Sequence, residues 1–231
     1  MIDLVGRNAL PIKRTNGRYD ASVVNEMMEL VGAERSIAQL DPTDRSSVIL
    51  SEAASLFALH GYAGASMQDI AKAVGITKAS IYHFFKDKDE IHATVVTMSV
   101  KHLLDLVDER TRNCDTAAER IDAFACAHAE YLSEYKSFYF ASAEGYHALT
   151  QPEVKRRVQR MRDGYEEKLR MFIREGVQQG EFRELDVKLA ARAVISCLNW
   201  MARWWRPDGP QTAEELASDY VDLLIAGFRP V

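Results

Sequence analysis

Apolar residues recur three and four positions apart along most of this chain, the spacing that places side chains on one face of an α-helix. The alternation of apolar and polar residues that indicates a half-buried β-strand is rare. Only 12 glycines and 6 prolines interrupt the pattern in 231 residues. The sequence is therefore predicted to fold as an all-α protein.

Helix-breaking and helix-capping residues divide this pattern into separate helices. Pro42 ends a helix predicted over 22–40, and either Thr43 or Asp44 can serve as the N-cap of the next one. Asp, Pro and Gly signals delimit the remaining helices. The helices predicted after residue 44 are 45–60, 66–74, 77–85, 87–110, 117–135, 137–148, 152–179, 186–206 and 212–227.

The overall composition is that of a soluble globular protein, with 47% hydrophobic and 27% charged residues. Three widely spaced cysteines form neither a disulfide framework nor a zinc spacing, which favours a reducing compartment. The N-terminus lacks the apolar core of a signal peptide, and no apolar run reaches the roughly 18 residues of a membrane helix. We therefore expect a cytoplasmic protein without a membrane segment.

The two short helices 66–74 and 77–85 are joined through the sequence VGIT, which is a helix-turn-helix pattern. Gly75 permits the tight turn between them. Ser66 is the predicted N-cap of the first helix and Thr77 that of the second. This arrangement is typical of DNA-binding proteins.

The second of these helices is predicted to have two faces. Ile81, Phe84 and Phe85 are expected to pack inward, which leaves polar side chains able to donate hydrogen bonds to phosphates or base edges. Residues 45–88 carry five Lys and Arg against three Asp and Glu, a net charge of +2, whereas the whole chain carries −5. A basic segment on an acidic protein indicates a localised DNA-binding surface. The outward-facing residues are Lys78, Ser80, Tyr82 and His83.

The segment SMQDIAKAVGITKASIYHFFKDKDEI (66–91) resembles the DNA-binding signature of the tetracycline-repressor (TetR) family. It departs from the family pattern conservatively, with Val74 in place of alanine and with Ile81 and Ile91 in place of leucines. The resemblance implies a repressor-like homodimer with an N-terminal three-helix DNA-binding domain and a larger helical domain for ligand binding and dimerisation. The matching positions are Ile70, Ala71, Val74, Gly75, Tyr82, Phe84, Lys88 and Ile91.

On this basis the chain divides into an N-terminal extension (1–44), a helix-turn-helix domain (45–91) and a ligand-binding and dimerisation domain (92–231). Lys78 and Ser80 are the expected base-reading residues, and the other contacts are expected to reach phosphates. For Ser66 and Thr77 the alternative is that they act as caps alone, and for Tyr82 that it only packs. The predicted DNA-binding residues are Arg45, Ser66, Thr77, Lys78, Ser80, Tyr82, His83 and Lys88.

The C-terminal two-thirds of the chain is rich in aromatic side chains with polar tips on helical stripes. Such side chains can build a core, but together they also favour an amphipathic cavity for an organic ligand. The predicted ligand-binding residues are His102, Phe124, His128, Tyr131, Phe138, Tyr146, Arg160, Tyr165, Trp200 and Trp204.

Two further segments suggest the class of ligand. EVKRRVQRMR (153–162) concentrates basic side chains that can either meet phosphates or form a solvated helix face. NWMARWWRPDGPQTAEELASDYVDLLIAGF (199–228) resembles the C-terminal region of TetR-type regulators that respond to acyl-CoA thioesters. The resulting hypothesis is a hydrophobic acyl-CoA inducer that shifts the helix starting near Asp87 and so changes the spacing of the recognition helices.

The last two predicted helices carry small and branched apolar residues suited to a four-helix dimer interface. A two-fold dimer presents two recognition helices to a pseudo-palindromic operator. The expected interface residues are Ala190, Val194, Cys197, Leu198, Met201, Leu216, Tyr220, Leu223, Leu224 and Phe228.

Sequence motifs for catalysis or metal binding do not occur in the chain. The six histidines and three cysteines lack close ligand spacings, so neither a metal nor a cofactor is predicted, and His60 is expected to lie in the core. Nucleophile-elbow, P-loop and dinucleotide-binding patterns are missing, so no catalytic residue is assigned. The alternatives are a helical carrier or enzyme with an incidental helix-turn-helix, and an activator of the same fold.

Overall fold

The computed structural model describes residues 36–228, and every regular element within them is helical, which confirms the all-α prediction. The helix predicted over 22–40 lies almost entirely outside the described residues. None of the described helices has the length and apolar character required to cross a membrane. The helices are α1 (Arg45–Gly64), α2 (Met67–Val74), α3 (Lys78–Ile81), α4 (Lys88–Thr111), α5 (Ala117–Glu134), α6 (Lys136–Gly145), α7 (Pro152–Gln178), α8 (Val187–Met201) and α9 (Ala213–Ala226), with 3-10 turns at Ile37–Gln39 and Tyr146–Ala148.

Side-chain caps start the helices of the DNA-binding half as the sequence predicts. Asp44 is the N-cap of α1 and accepts a hydrogen bond from the Ser47 backbone N–H at 3.0 Å. Ser66 and Asp69 form a capping box at the start of α2, and the Thr77 hydroxyl accepts from the backbone at the start of α3. These caps set the first turn of each helix and therefore the direction in which its side chains point.

Two helices end earlier than the periodicity suggests, and a third is kinked. Gly61 takes a positive φ of 68° and kinks α1, after which one more turn reaches Gly64. The second helix of the helix-turn-helix is a single turn that ends at Ile81 and continues as turns. α8 ends at Met201 rather than near 206, so Trp204 lies beyond the helix.

The core of the DNA-binding half lies where α1 packs on α2 and α2 on α3. Ile49, Ile70 and Ile81 have no exposed surface there, and Phe57 is almost fully buried. α4 carries the chain out of this core and packs against α1, α5, α6 and α7. α4 is therefore shared by both halves of the described structure.

The C-terminal helices surround the far part of α4. α5 packs against α4, α7 and α9, and α8 packs against α7. α6 lies against α1, where the hydroxyls of Ser55 and Ser137 are 3.3 Å apart. Two routes, α4 itself and the contact of α1 with α6, thus connect the helix-turn-helix to the helices behind it.

Candidate DNA-binding surface and ligand-binding interior

The turn of the helix-turn-helix depends on the backbone conformation of Gly75. It ends α2 in the left-handed region at φ 73° and ψ 33°, and its N–H bonds to carbonyls of the last turn of α2. A side chain at this position would meet open space, so the backbone dihedral and not crowding favours glycine. Thr77 then caps α3 two residues later.

The surface around α3 exposes most of the residues predicted to contact DNA. Ser80 is partly buried, and its backbone N–H donates to the Thr77 hydroxyl at 3.1 Å. The Ser66 hydroxyl bonds to Asp69 Oδ2 at 2.6 Å, so Ser66 and Thr77 both serve as caps while remaining exposed. Their contact with DNA stays a prediction. The exposed members are Arg45, Ser66, Thr77, Lys78, Tyr82 and His83.

The inward face of α3 is smaller than predicted. Ile81 and Phe85 are buried, but the Phe84 side chain is 43% exposed, so its assignment to the core is wrong. The cause is the early end of α3, since the chain turns after Ile81, whose carbonyl accepts from the N–H groups of both Phe84 and Phe85. Phe84 therefore adds an exposed ring beside Tyr82.

Lys88 joins α4 to the end of α1. Its ammonium donates to the carbonyls of Tyr62 and Ala65, both at 2.8 Å, and lies 4.1 Å from the centre of the Tyr62 ring. These contacts hold the side chain within the protein. Sequence reasoning assigned Lys88 only to phosphate, and it missed this structural role.

Asp89, the next residue, bonds to two other parts of the chain. One carboxylate oxygen accepts from the Tyr62 hydroxyl and the other from the Thr150 hydroxyl. These hydrogen bonds, that from Tyr62 first, hold the pKa of Asp89 below its usual value. Burial, and then the Asp89 contact, raises the pKa of Tyr62 to about 12. The first turn of α4 is thereby tied to α1 and to the segment before α7.

His92 fills the space between α4, α1 and α6. Its ring centre lies 4.4 Å from that of Tyr62 and 5.3 Å from that of Phe57. A Cβ added to Gly145 would come within 2.6 Å of His92 Nε2, so glycine permits the close approach of α6. Burial lowers the pKa of His92 to about 4, and the ring therefore stays neutral at pH 7.

The interior of the C-terminal half brings several predicted ligand-binding residues together. His128 Nδ1 lies 2.8 Å from the Tyr165 hydroxyl, and the Tyr165 ring packs on Phe124 with ring centres 4.5 Å apart. His128 Nε2 is buried and has no hydrogen-bond partner among the described residues. Burial lowers the pKa of His128 to about 4. A neutral imidazole with one unused nitrogen therefore faces the protein interior.

A second set of rings extends this interior toward α4. The Tyr131 hydroxyl contacts the Ser99 hydroxyl of α4, and Ser99 Oγ donates to the Phe138 carbonyl at 2.9 Å. The Tyr139 ring centre is 5.7 Å from those of both Tyr131 and His128. Rings on α5, α6 and α7 thus contact one another, and Ser99 connects them to α4.

His102 is buried farther along α4, outside this group. Its Nδ1 lies 3.0 Å from the Ser36 hydroxyl, and its ring packs at 4.3 Å against Tyr135. Burial lowers the pKa of His102, whose ring is also 6.1 Å from that of Tyr131. His102 borders the aromatic interior without facing His128.

Four residues that were predicted to line the ligand site or the core are exposed to solvent instead. Arg160 is exposed on the outer side of α7, opposite the buried stripe of Val158, Met161 and Tyr165. Trp200 and Trp204 are exposed by 60% and 46%, and His60 is exposed rather than in the core. Helical spacing explains Arg160, which is rotated by about 200° from Val158, since each residue turns the helix by about 100°.

The arginine that faces the rings is Arg162, four residues after the buried Val158. Its guanidinium lies 4.6 Å from the centre of the Tyr146 ring, and Nη2 bonds to the Ser142 carbonyl at 3.3 Å. Burial lowers the pKa of Arg162, which remains partly exposed. The three- and four-residue spacing from Val158 and Tyr165 was the signal in the sequence that distinguishes it from Arg160.

A separate cavity of about 230 Å³ opens between the first half of α4 and the start of α7. It is smaller than the roughly 300 Å³ at which pockets for drug-sized ligands begin. None of the ten predicted ligand-binding residues lines it. Its lining residues are Glu90, Ala93, Thr94, Thr97, Met98, Gln151, Val154 and Arg157.

The residues predicted for the dimer interface differ in exposure between the last two helices, since Leu223 of α9 is 74% exposed whereas those of α8 are mostly buried. Ala190, Val194, Leu198 and Met201 are buried within the protomer, as is Leu216. Leu189 and Trp200 lie on the side of α8 opposite these buried residues, since their separation of eleven residues returns the helix to nearly the same face. The exposed large apolar side chains of this region, from α8 to α9, are Leu189, Trp200, Trp204 and Leu223.

Comparison with protein families assigns both halves of the structure. The model of bacterial regulatory proteins of the tetR family matches residues 49–95, and the tetracyclin repressor-like C-terminal domain matches residues 114–228. The HTH-type transcriptional repressor KstR2 of Rhodococcus jostii is 31% identical over 194 residues, which cover 80% of this chain and 91% of that protein. The chain belongs to the TetR family.

Solved structures of TetR regulators share the fold of this TetR-family chain. PfmR from Thermus thermophilus is 43% identical with a TM-score of 0.72, over 79% of this chain and 99% of that one. AibR in complex with isovaleryl coenzyme A and operator DNA is 26% identical with a TM-score of 0.72, over 81% of this chain and 100% of that one. As a family member, this chain is a DNA-binding transcriptional regulator.

Proposed function

We propose that this TetR-family protein is a homodimeric repressor that leaves its operator when a hydrophobic acyl compound, of the acyl-CoA class, binds among the rings of its C-terminal half. The observation that carries the proposal is the position of α4. Its first turn is bonded to the end of α1 in the DNA-binding half, and its middle contacts the aromatic interior. The similarity to the repressor KstR2 and to AibR, crystallised with isovaleryl coenzyme A and operator DNA, supports it. No catalytic step is assigned, and such a regulator acts in the cytoplasm.

DNA recognition is assigned to the exposed surface around α3. Lys78 and Ser80 are placed to read base edges, because they lie in the first turn of the recognition helix. Tyr82 and His83 follow the helix and are assigned to phosphates, whose contacts fix position without reading sequence. Lys88 contributes by holding α4 to the domain rather than by reaching DNA.

Dimer formation is assigned to the exposed apolar face of α8 and α9. Exposed tryptophans such as Trp200 and Trp204 are costly for a lone protomer in water, and aromatic residues are enriched in the buried centres of protein interfaces. Pairing this face about a two-fold axis presents two α3 helices to one operator.

Release from DNA is assigned to the ring contacts that hold α4. A ligand that enters this interior must part rings that touch one another, including Tyr131 where it contacts Ser99 of α4. Movement of α4 then passes to the DNA-binding half through the contacts of Lys88 with Ala65 and of Asp89 with Tyr62. The ligand shifts the equilibrium only by its differential affinity for the two arrangements of α4.

Charge reversal at Lys78 tests the DNA-binding half of the proposal. Lys78→Glu is expected to abolish detectable operator binding in a fluorescence anisotropy titration, because it places a carboxylate against the duplex. Lys136→Glu changes the net charge equally at an exposed position on α6 and is expected to bind like the wild type. Equal affinities of the two variants would show that α3 does not enter the groove.

A further inference from the structure

Arg162 carries a charge that the described protein leaves unmatched. On the same helix, Arg156 pairs with Glu153, Arg170 with Glu166 and Arg174 with Glu167. No carboxylate within residues 36–228 lies at ion-pair distance from Arg162, and its only hydrogen bond there is the 3.3 Å contact with the Ser142 carbonyl. A guanidinium has five N–H donors, so most of its hydrogen-bonding capacity is unused by these residues.

The surroundings of Arg162 are aromatic rather than acidic. The Tyr146 ring packs against the guanidinium. After Tyr146, the groups that interact electrostatically with it are the Tyr131 and Tyr139 phenols. Burial raises the pKa of each of these phenols, that of Tyr139 to about 12, so none of them becomes an anion at pH 7. The positive charge is therefore not neutralised by its neighbours.

An unpaired, largely desolvated charge is costly, and proteins normally pair such a group or place it where a ligand pairs it. Arg162 is partly exposed, so its guanidinium lies where the ring-lined interior meets solvent. Lys155 adds a second cation, 5.5 Å from the centre of the same Tyr146 ring. The arrangement suits a ligand with an anionic head and an apolar body.

We propose that Arg162 is the anion-binding residue of the inducer site. Its guanidinium takes an anionic oxygen group of the ligand, either the carboxylate of a free acid or a phosphate of the corresponding CoA thioester. The apolar part of the ligand then lies along Tyr139, Tyr165 and Phe124. This inference rests on the proposed ligand response and adds the residue that selects the charged part of the ligand.

Arg162→Met and its matched control Arg160→Met test the assignment by calorimetric titration with three probes. Decanoyl-CoA, decanoate and sodium pyrophosphate present the thioester with its phosphates, the carboxylate alone and an anion without an apolar chain. The wild type and Arg160→Met are expected to bind at least one probe, and Arg162→Met is expected to bind it about tenfold to a hundredfold more weakly, as for a lost charged hydrogen bond. Weakening for decanoate identifies the carboxylate as the partner of Arg162, and weakening for decanoyl-CoA alone identifies a phosphate.

Thermal unfolding without ligand separates this role from simple packing. Arg162→Met is expected to melt at or above the wild-type temperature, because it removes a charge that the protein leaves unpaired. Wild-type probe binding by Arg162→Met would overturn the proposal at any melting temperature, and so would weakened binding with a lower melting temperature, which a packing role explains. A wild type that binds none of the three probes would overturn it as well. In that last case, release of the operator by decanol would leave the ligand-responsive function standing while removing Arg162 from it.

Discussion

Asp89 Oδ2 accepts a 2.7 Å hydrogen bond from Thr150 Oγ1, which ties the first turn of α4 to the segment that leads into α7. The other oxygen of the same carboxylate accepts from Tyr62 at the end of α1. A carboxylate in the first turn of a helix is also favoured by the positive end of the helix dipole. Asp89 therefore connects the DNA-binding half to the ligand-binding half through one side chain.

Thr150→Val removes one of these two hydrogen bonds without changing the size of the side chain. The rings of the interior contact one another in this structure, so a ligand must change this arrangement in order to enter. The Asp89–Thr150 bond belongs to the arrangement that the ligand must disrupt. We expect half-release of the operator at an inducer concentration about fivefold lower, which corresponds to about 1 kcal/mol of coupling. Operator anisotropy as a function of inducer concentration measures the shift.

Thr94→Val is the control for that experiment. The Thr94 hydroxyl donates only within α4, to the Glu90 carbonyl at 2.8 Å, and does not join two helices. Its half-release concentration is expected to match the wild type. A shift of equal size in both variants would mean that loss of a hydroxyl, and not of the connection between helices, is responsible.

Gly145→Ala tests the close approach of α6 to α4. Alanine in an open helical position stabilises by up to about 1 kcal/mol, but here its Cβ would meet His92 Nε2 at 2.6 Å and Val96 Cγ2 at 3.2 Å. We expect the free energy of unfolding in urea to fall by about 1–3 kcal/mol, the usual cost of overpacking. Adding His92→Ala should make the cost of Gly145→Ala smaller, and strictly additive effects would contradict the contact.

Trp200→Glu combined with Leu223→Glu tests the dimer face. Charged side chains in place of two exposed apolar ones are expected to halve the mass measured by light scattering and to weaken operator binding, since a monomer contacts one half-site. Leu59→Glu, at an equally exposed leucine of α1, serves as the control and is expected to remain dimeric. A double variant with the wild-type mass would place the interface elsewhere.

The buried histidines make stability depend on pH. Burial lowers the folded-state pKa of His128 to about 4, whereas an unfolded histidine titrates near 6.5. Because the folded pKa is the lower one, the unfolded chain binds the proton first, and stability present above pH 6.5 is lost as the pH falls toward 4. His92, also lowered by burial, contributes with the same sign.

His128→Gln is therefore expected to flatten the pH dependence of unfolding. Between pH 6 and 5 it should remove about 1 kcal/mol per pH unit from the slope, as measured by urea unfolding at each pH. His60→Gln, at an exposed histidine, is expected to keep the slope of the wild type. Parallel curves for His128→Gln and the wild type would contradict the assignment of His128 to a dry interior.

Local signals in the sequence predicted most of the fold, because helices are set by nearest neighbours along the chain. The caps Ser66 and Thr77 and the turn at Gly75 are all found as predicted. The early end of α3 was missed, since the spacing of Ile81, Phe84 and Phe85 suits one buried helical face, whereas Phe84 is exposed and only the other two are buried. The length of a single-turn helix depends on tertiary packing, and the spacing of apolar residues does not reveal that packing.

The sequence predicted an aromatic interior in the C-terminal half, but it did not predict every residue of that interior or its connections to the DNA-binding half. His128, Tyr131 and Tyr165 form an interior cluster because they lie on buried stripes that the sequence shows. Trp200 was assigned to the same interior because apolar periodicity does not state which of two apolar faces a protomer buries. The connections through Lys88 and Asp89 join residues distant along the chain, and no local pattern indicates them.

Operator binding measured with and without inducer tests the central claim most directly. The wild-type protein is titrated onto a labelled operator, and decanoyl-CoA is then added to saturation while the anisotropy is followed. Our account predicts that the operator is released and that removal of the ligand restores binding. Unchanged operator affinity at saturating ligand would contradict the coupling between the aromatic interior and the helix-turn-helix.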